Sequence, residues 1–144
     1  MSRIETLSVL LRGRFSPIIV VFDREDRKLT ANQIAQMVAS ALGQKRPADR
    51  YVVGVADRMI ENWILADWES LRMSIPNLPA EPPSVEGRNG KGILRRLLRD
   101  QGYSATIDGP KLLRKARPSF IQRQSKSFDE FRRQLAISCW WLAH

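Results

Sequence analysis

Five carboxylates stand directly behind two apolar runs. The stretch "PIIVVF" (residues 17–22) runs into Asp23, Glu25 and Asp26, with Arg24 and Arg27 among them. The stretch "RYVVGVAD" (residues 50–57) ends in Asp57, and Glu61 lies four residues further on. Alternate residues of an extended chain share a face, so Asp23 and Glu25 point the same way. If the two runs are neighbouring parallel strands, Asp23 and Asp57 open onto one crevice at the carboxyl ends of the sheet, where ligands of α/β folds sit. Oxygen anions gathered there repel one another unless a cation joins them. A hard divalent ion, Mg²⁺ or Mn²⁺, takes carboxylate and water oxygens. Asp23, Glu25 and Asp57 are therefore candidate metal ligands. A plain turn uses the same residues differently: Asp23 caps the next segment and the arginines neutralise its neighbours. Spacing alone leaves both readings open.

The segment "ADRMIENWILAD" adds a second feature. On a helix Asp57 and Glu61 share a face, with Arg58 and Asn62 in the adjacent row. Glu61 sits among Met59, Ile60, Trp63, Ile64 and Leu65, company in which a carboxylate needs a cation, an arginine or a hydrogen-bond network. "EGRNGKG" (residues 86–92) is not a phosphate-binding loop of the nucleotide-hydrolase kind, because Val85 and Gly92 stand where a glycine and a Ser or Thr are required. It remains a glycine loop opening a helix, whose N–H groups and Lys91 could hold a single phosphate. Further on, "KLLRKARPSFIQRQSKSF" carries Lys111, Arg114, Lys115, Arg117 and Arg123, and Arg95 and Arg96 precede it. These suit a sugar-phosphate backbone, or equally a solvated helix face. The only histidine is His144, which leaves no histidine-based triad or His/Cys zinc site.

Helices and strands must hold these residues in place. Residues 3–12 have Ile4, Leu7 and Leu11 at helical spacing. Residues 17–22 read as a strand buried on both faces. In "TANQIAQMVASALG", Thr30 and Gln33 form a capping box, one apolar stripe follows, and Gly43 is placed to end the helix. A second strand at 50–57 leads into one half-buried helix, "RMIENWILADWESLRM". Four prolines between Pro76 and Pro83 mark a loop. Three helical candidates follow: "NGKGILRRLLRDQG", the short "GPKLLRKAR", and "SFDEFRRQLAISCWWLA". The last opens on a Ser127/Glu130 box and carries a stripe of Phe128, Phe131, Leu135, Cys139 and Leu142.

The predicted fold is α/β: a small, mainly parallel sheet flanked by helices, with a basic helical C-terminal part. It forms a single domain over 1–144. Residues 17–75 are a βαβα half bearing the candidate metal site, and 76–144 are a proline-rich loop and basic helical half. Residues 1–75 carry 11 Lys/Arg against 9 Asp/Glu, whereas 76–144 carry 13 against 6, and the whole chain is +9. An excess placed so unevenly points to a polyanionic partner, nucleic acid above all. No apolar run approaches the ~18 residues of a membrane helix, and the first residues do not read as a signal peptide. One cysteine, Cys139, fits a reducing cytoplasm.

Taken in order, "IVVFDRED", "VGVADRMIENWILAD", "GKGILRRLL" and "SFIQRQSKSFDEFRRQL" resemble the bacterial family catalogued as domain of unknown function 4276, from about Pro17 to the end. That family looks like the Toprim-type domains, and the middle motif is similar to the "E-x-W-L-L" segment of a related restriction-linked family. Toprim-type domains use a sheet-end glutamate and an Asp-x-Asp pair to bind Mg²⁺ for strand cleavage or phosphoryl transfer. The resemblance maps the pair onto Asp23 and Glu25, and it places Glu61 and Lys91 at recurring family positions. It implies a defence-associated, Mg²⁺-dependent nuclease-like protein, often paired with an ATPase, with Asp23 and Glu25 as metal-binding catalytic residues. Glu61 is a further catalytic candidate, and Asp57 and Glu61 support the metal or add ligands to it. The alternative is a nucleic-acid-binding or ATPase-partner module that has lost catalysis. The Toprim glutamate belongs to a strand ahead of the first helix. The 16 residues before Pro17 read instead as a helix with Glu5 in another setting. The expectation is a sheet lacking that first strand, with an edge that a partner covers.

Overall fold

A computed structural model describes residues 16–25, 28–45, 50–99 and 102–139. The predicted helix at 3–12 lies outside them, as do Glu5, Asp26, Leu142 and His144. Two strands, β1 (Ile18–Asp23) and β2 (Tyr51–Ala56), pair in parallel, with Ile18 opposite Tyr51 and Asp23 opposite Ala56. The helix between them, α1 (Ala31–Lys45), begins at the Thr30/Gln33 box. The Thr30 N–H donates to Gln33 Oε1 at 2.9 Å, and the Gln33 N–H donates to Thr30 Oγ1 at 3.3 Å. Gly43 does not end this helix, which runs two residues past it.

The faces of β2 decide the layers. Val53 and Val55 pack on Ala31, Ile34 and Ala35 of α1. Val52 and Ala56 look the other way, onto the last described helix, α7 (Lys126–Ser138), with Phe131 at the contact. Gly54 lies between them because a Cβ there would come within 2.7 Å of the Phe131 ring. β2 is thus buried on both sides. β1 is not: Ile19 and Val21 remain 46% and 39% exposed, so the expectation of two buried faces fails for this strand.

Residues 58–73 do not form one helix. They break into α2 (Glu61–Ala66) and α3 (Trp68–Ser74) at Asp67, whose carboxylate caps α3 by accepting the Ser70 N–H. All six residues of α2 are buried. Trp63 and Ala66 join the sheet core, while Ile64 and Leu65 face a second, helical core with Trp68, Leu71, Leu94 and Leu98. That second core takes in α4 (Gly90–Leu97) and leans on α5 (Asp108–Lys115) through Leu112 and Leu113. Pro118 then opens a helix absent from the sequence reading, α6 (Pro118–Gln124), in keeping with proline's fit at a first helical position. The described residues form an α/β fold with a two-stranded parallel sheet and seven helices. None of these helices is long and apolar enough to cross a membrane.

Candidate functional site

Both strands end in a sharp, left-handed turn. Glu25 has φ 58° and Arg58 has φ 63°, values that side-chain-bearing residues rarely adopt and that cost free energy unless the surroundings enforce them. Two backbone bonds join the turns: Arg24 N–H to Ala56 O at 3.0 Å, and Glu25 N–H to Arg58 O at 2.7 Å. The turn at Arg58 is also why Asp57 and Glu61 do not share a helical face. Asp57 and Arg58 form a bend, and helix begins only at Glu61.

The strand-end carboxylates fall into two groups. Asp23 belongs to the first: its Oδ1 accepts the Ile60 N–H at 2.8 Å, tying β1 to the start of α2. Partial burial raises the proton affinity of its carboxyl above the usual range; the Ile60 bond opposes this, and the nearby charges of Glu61 and Glu25 add to it. Lys91, at the start of α4, opposes them. Glu61 is only 5% exposed, and it finds a hydrogen-bond partner rather than an arginine: Tyr103 Oη donates to Oε1 at 3.2 Å. Burial and the Glu61 charge together make the Tyr103 hydroxyl harder to ionise. Two links bring α4 against α2 here. Gly90 approaches so closely that a Cβ would lie 2.8 Å from the Asn62 nitrogen, and the Asn62 amide donates to Val85 O and to Arg88 O.

Asp57 leads the second group. Its Oδ1 accepts Arg24 Nε at 2.7 Å, and its Oδ2 accepts the Gly87 N–H. Glu86 lies against it, its carboxyl raised in proton affinity by burial first and by the Asp57 charge second, against bonds from the Ser125 hydroxyl and the Lys126 N–H. No spacing rule singles out Glu86, which stands in an irregular loop. Ser127 secures the group from below, accepting the Asp57 N–H at 3.2 Å and Trp63 Nε1 at 2.9 Å. The predicted cap of α7 shifts accordingly. Ser125 Oγ accepts the Phe128 N–H, while Ser127 turns inward. The Glu61–Trp63 and Ser-x-Ser-Phe motifs, far apart in the chain, therefore meet at one indole–hydroxyl bond.

Glu25, Glu61 and Lys91 thus lie near enough for their charges to act on Asp23, whereas Asp57 has both oxygens engaged by Arg24 and Gly87. Among the described residues no three histidines, cysteines or carboxylates gather closely enough to hold a metal ion by themselves. The basic residues separate too. Arg117 is taken up by Asp67 and Glu69, at 2.7 and 2.9 Å, and is not presented to a ligand as expected. Lys111 lies 4.0 Å from Asp108 on its own helix. Arg95, Arg114 and Lys115 are exposed on α4 and α5. Arg96 borders a cleft of about 540 Å³ with Trp68 and Arg88, and Arg123 lies over the Phe120 ring.

No curated protein and no solved structure matches the chain. Residues 3–136 do match the model of the family described as Domain of unknown function (DUF4276), a span that takes in both strands, the two carboxylate groups and nearly all of α7. The chain belongs to that family.

Proposed function

We propose that this protein is a Mg²⁺-dependent, nuclease-like nucleic-acid-processing protein of Toprim-like design that works at the ends of β1 and β2. The observation that carries the reading is the electrostatics of Asp23. Partial burial pushes its carboxyl toward protonation, the nearby Glu61 and Glu25 charges add to this, and the Ile60 bond and Lys91 oppose it. A divalent cation beside these carboxylates favours their charged forms. The donor chemistry fits: Mg²⁺ commonly takes one or two carboxylates and completes its shell with water and substrate phosphate, so three gathered carboxylates are not required. Asp23 with Glu61 or Glu25 would hold it, and when bound it would stabilise charge on a phosphodiester.

The chain's own residues have separate tasks in this reading. Tyr103 orients Glu61 through the 3.2 Å bond. Lys91 is placed to meet a phosphate beside Asp23. Arg24 holds Asp57 away from the Asp23 group and joins the two strand-end turns. The exposed Arg95, Arg114 and Lys115 supply the backbone contacts of a polyanion. A role in bacterial defence, beside an ATPase, extends the reading on the strength of the family resemblance.

The test is a Mn²⁺ titration followed by paramagnetic resonance, with cleavage of labelled DNA and RNA assayed in parallel, on wild type and Asp23→Asn. One site per chain and divalent-dependent cleavage, both lost in the variant, are the expected results. A second reading draws on the fact that Asp57 and Glu61 already have protein partners: the site then binds nucleic acid without turnover. Salt-sensitive binding with no cleavage in any divalent ion would establish that alternative.

A further inference from the structure

The proline-rich segment has no part in the site described so far, yet it is pinned at both ends. Trp68 Nε1 donates to Pro79 O at 3.0 Å, and Asn62 holds Val85 O and Arg88 O. The stretch between them forms one wall of an open groove of about 770 Å³. Its opposite side includes Phe120 and Arg123 of α6, and Arg72 and Trp68 of α3 also line it. At one end stands Glu86, whose carboxyl touches Asp57; Asp57 follows Ala56, the residue level with Asp23 in the sheet.

Of the carboxylates lining this groove, Glu69 pairs with Arg117 at 2.9 Å, and Glu86 lies beside Ser125 and Lys126 with its carboxyl shifted toward the neutral form by burial and by the Asp57 charge. Arg72 makes no ion pair among the described residues, and Arg123 donates only to the Ser119 carbonyl. The Arg123 guanidinium carbon lies 4.3 Å from the Phe120 ring centre on a residue that remains exposed, and the Arg117 guanidinium carbon lies over the same ring at 3.5 Å. A cation–π contact and the bond to the Ser119 carbonyl restrict the Arg123 side chain before any ligand arrives, which lowers the entropy lost on binding. Apolar walls, an exposed guanidinium beside an aromatic ring and a second arginine are the features that take an unstacked base with its phosphate. A duplex buries its bases in the stack and offers none to such a groove.

We propose that this groove binds single-stranded nucleic acid, one base stacking on Arg123, and leads the strand toward the ends of β1 and β2. The inference rests on the nucleic-acid-processing reading above and names its substrate class. Fluorescence anisotropy of the full chain with labelled oligothymidylate, oligouridylate and a duplex of equal length, without divalent ion, tests it. Single strands should bind about tenfold more tightly than duplex. Arg123→Ala should weaken single-strand binding by about tenfold, and Arg123→Lys, which keeps the charge but not the plane, by nearly as much. Duplex binding equal to single-strand binding overturns the proposal. So does wild-type affinity in Arg123→Lys, which would reduce the arginine to a point charge. Failure of the metal reading appears separately, as absence of the Mn²⁺ site in a protein that still binds oligonucleotide. Failure of the groove appears as a Mn²⁺ site retained with oligonucleotide binding insensitive to Arg123→Ala.

Discussion

Asp23 and Asp67 do the same local job in opposite surroundings. Each follows an apolar element and accepts a backbone N–H at the start of a helix, Ile60 for Asp23 and Ser70 for Asp67. Asp67 is 1% exposed and receives Nε, Nη2 and the backbone N–H of Arg117 as well, so these bonds overcome the cost of burial and hold its carboxyl well below the usual range. Asp23 is less buried, lies near two further carboxylates, and is shifted the other way. The Asp67 charge is met by the Arg117 guanidinium, whereas burial and two neighbouring carboxylates hold Asp23 toward protonation, the kind of perturbed group that functional sites collect.

The largest effect should come from breaking the answered one. Asp67→Ala removes the cap of α3 and leaves Arg117 without its principal partner, and should cost about 3 kcal/mol in urea unfolding. pH sharpens the contrast. A carboxyl lowered in the folded state contributes stability that is complete above its unfolded value, about 3.9, and is lost as pH falls below it. The gap between wild type and Asp67→Ala should therefore close in acid below about pH 4. Asp23 and Glu86, both raised, carry the opposite sign. They cost nothing below the unfolded value, and their penalty grows as pH rises through the folded one. Removing either charge should matter more at pH 7 than at pH 4, as unfolding midpoints across that range will show.

These two carboxylates also mark how far the sequence is legible. Both strands, α1 and its capping box are specified within windows of a few residues, by β-branched runs and an i, i+3 pair, and the structure has them where the pattern puts them. The break at Asp67 is not local. It depends on Arg117, fifty residues away, so "WILADWES" reads as unbroken helix. The same holds for Ser125 and Ser127. Either serine suits a cap, and the choice between them is made by the Trp63 indole from α2. At the site, the position of Asp23 at a strand end and the need of Glu61 for a partner are both readable. The separation of Asp57 is not, because it follows from Arg58 adopting a left-handed turn and Arg24 reaching across to a neighbouring strand.

Ser127 gives the next largest effect. Ser127→Ala leaves the Trp63 Nε1 and Asp57 N–H donors without their acceptor in a buried setting, and should cost about 2 kcal/mol. Because Asp57 stands apart from the Asp23 group, the variant should keep its Mn²⁺ stoichiometry. Loss of the Mn²⁺ site with the fold intact would instead join the two carboxylate groups into one.

The smallest effect is the one that separates scaffold from site. Asp23→Asn keeps an Oδ1 able to accept the Ile60 N–H and removes the charge that burial, Glu61 and Glu25 disfavour. Without divalent ion the thermal midpoint at pH 7 should rise, by roughly 2–4 °C, as it does where a site is held at the expense of stability. Added Mn²⁺ should then raise the midpoint of wild type and not of the variant, because only a folded state that binds the ion gains from it. A lower midpoint for Asp23→Asn, unmoved by Mn²⁺ in either protein, would make Asp23 a second Asp67: a structural anion whose charge the fold itself requires.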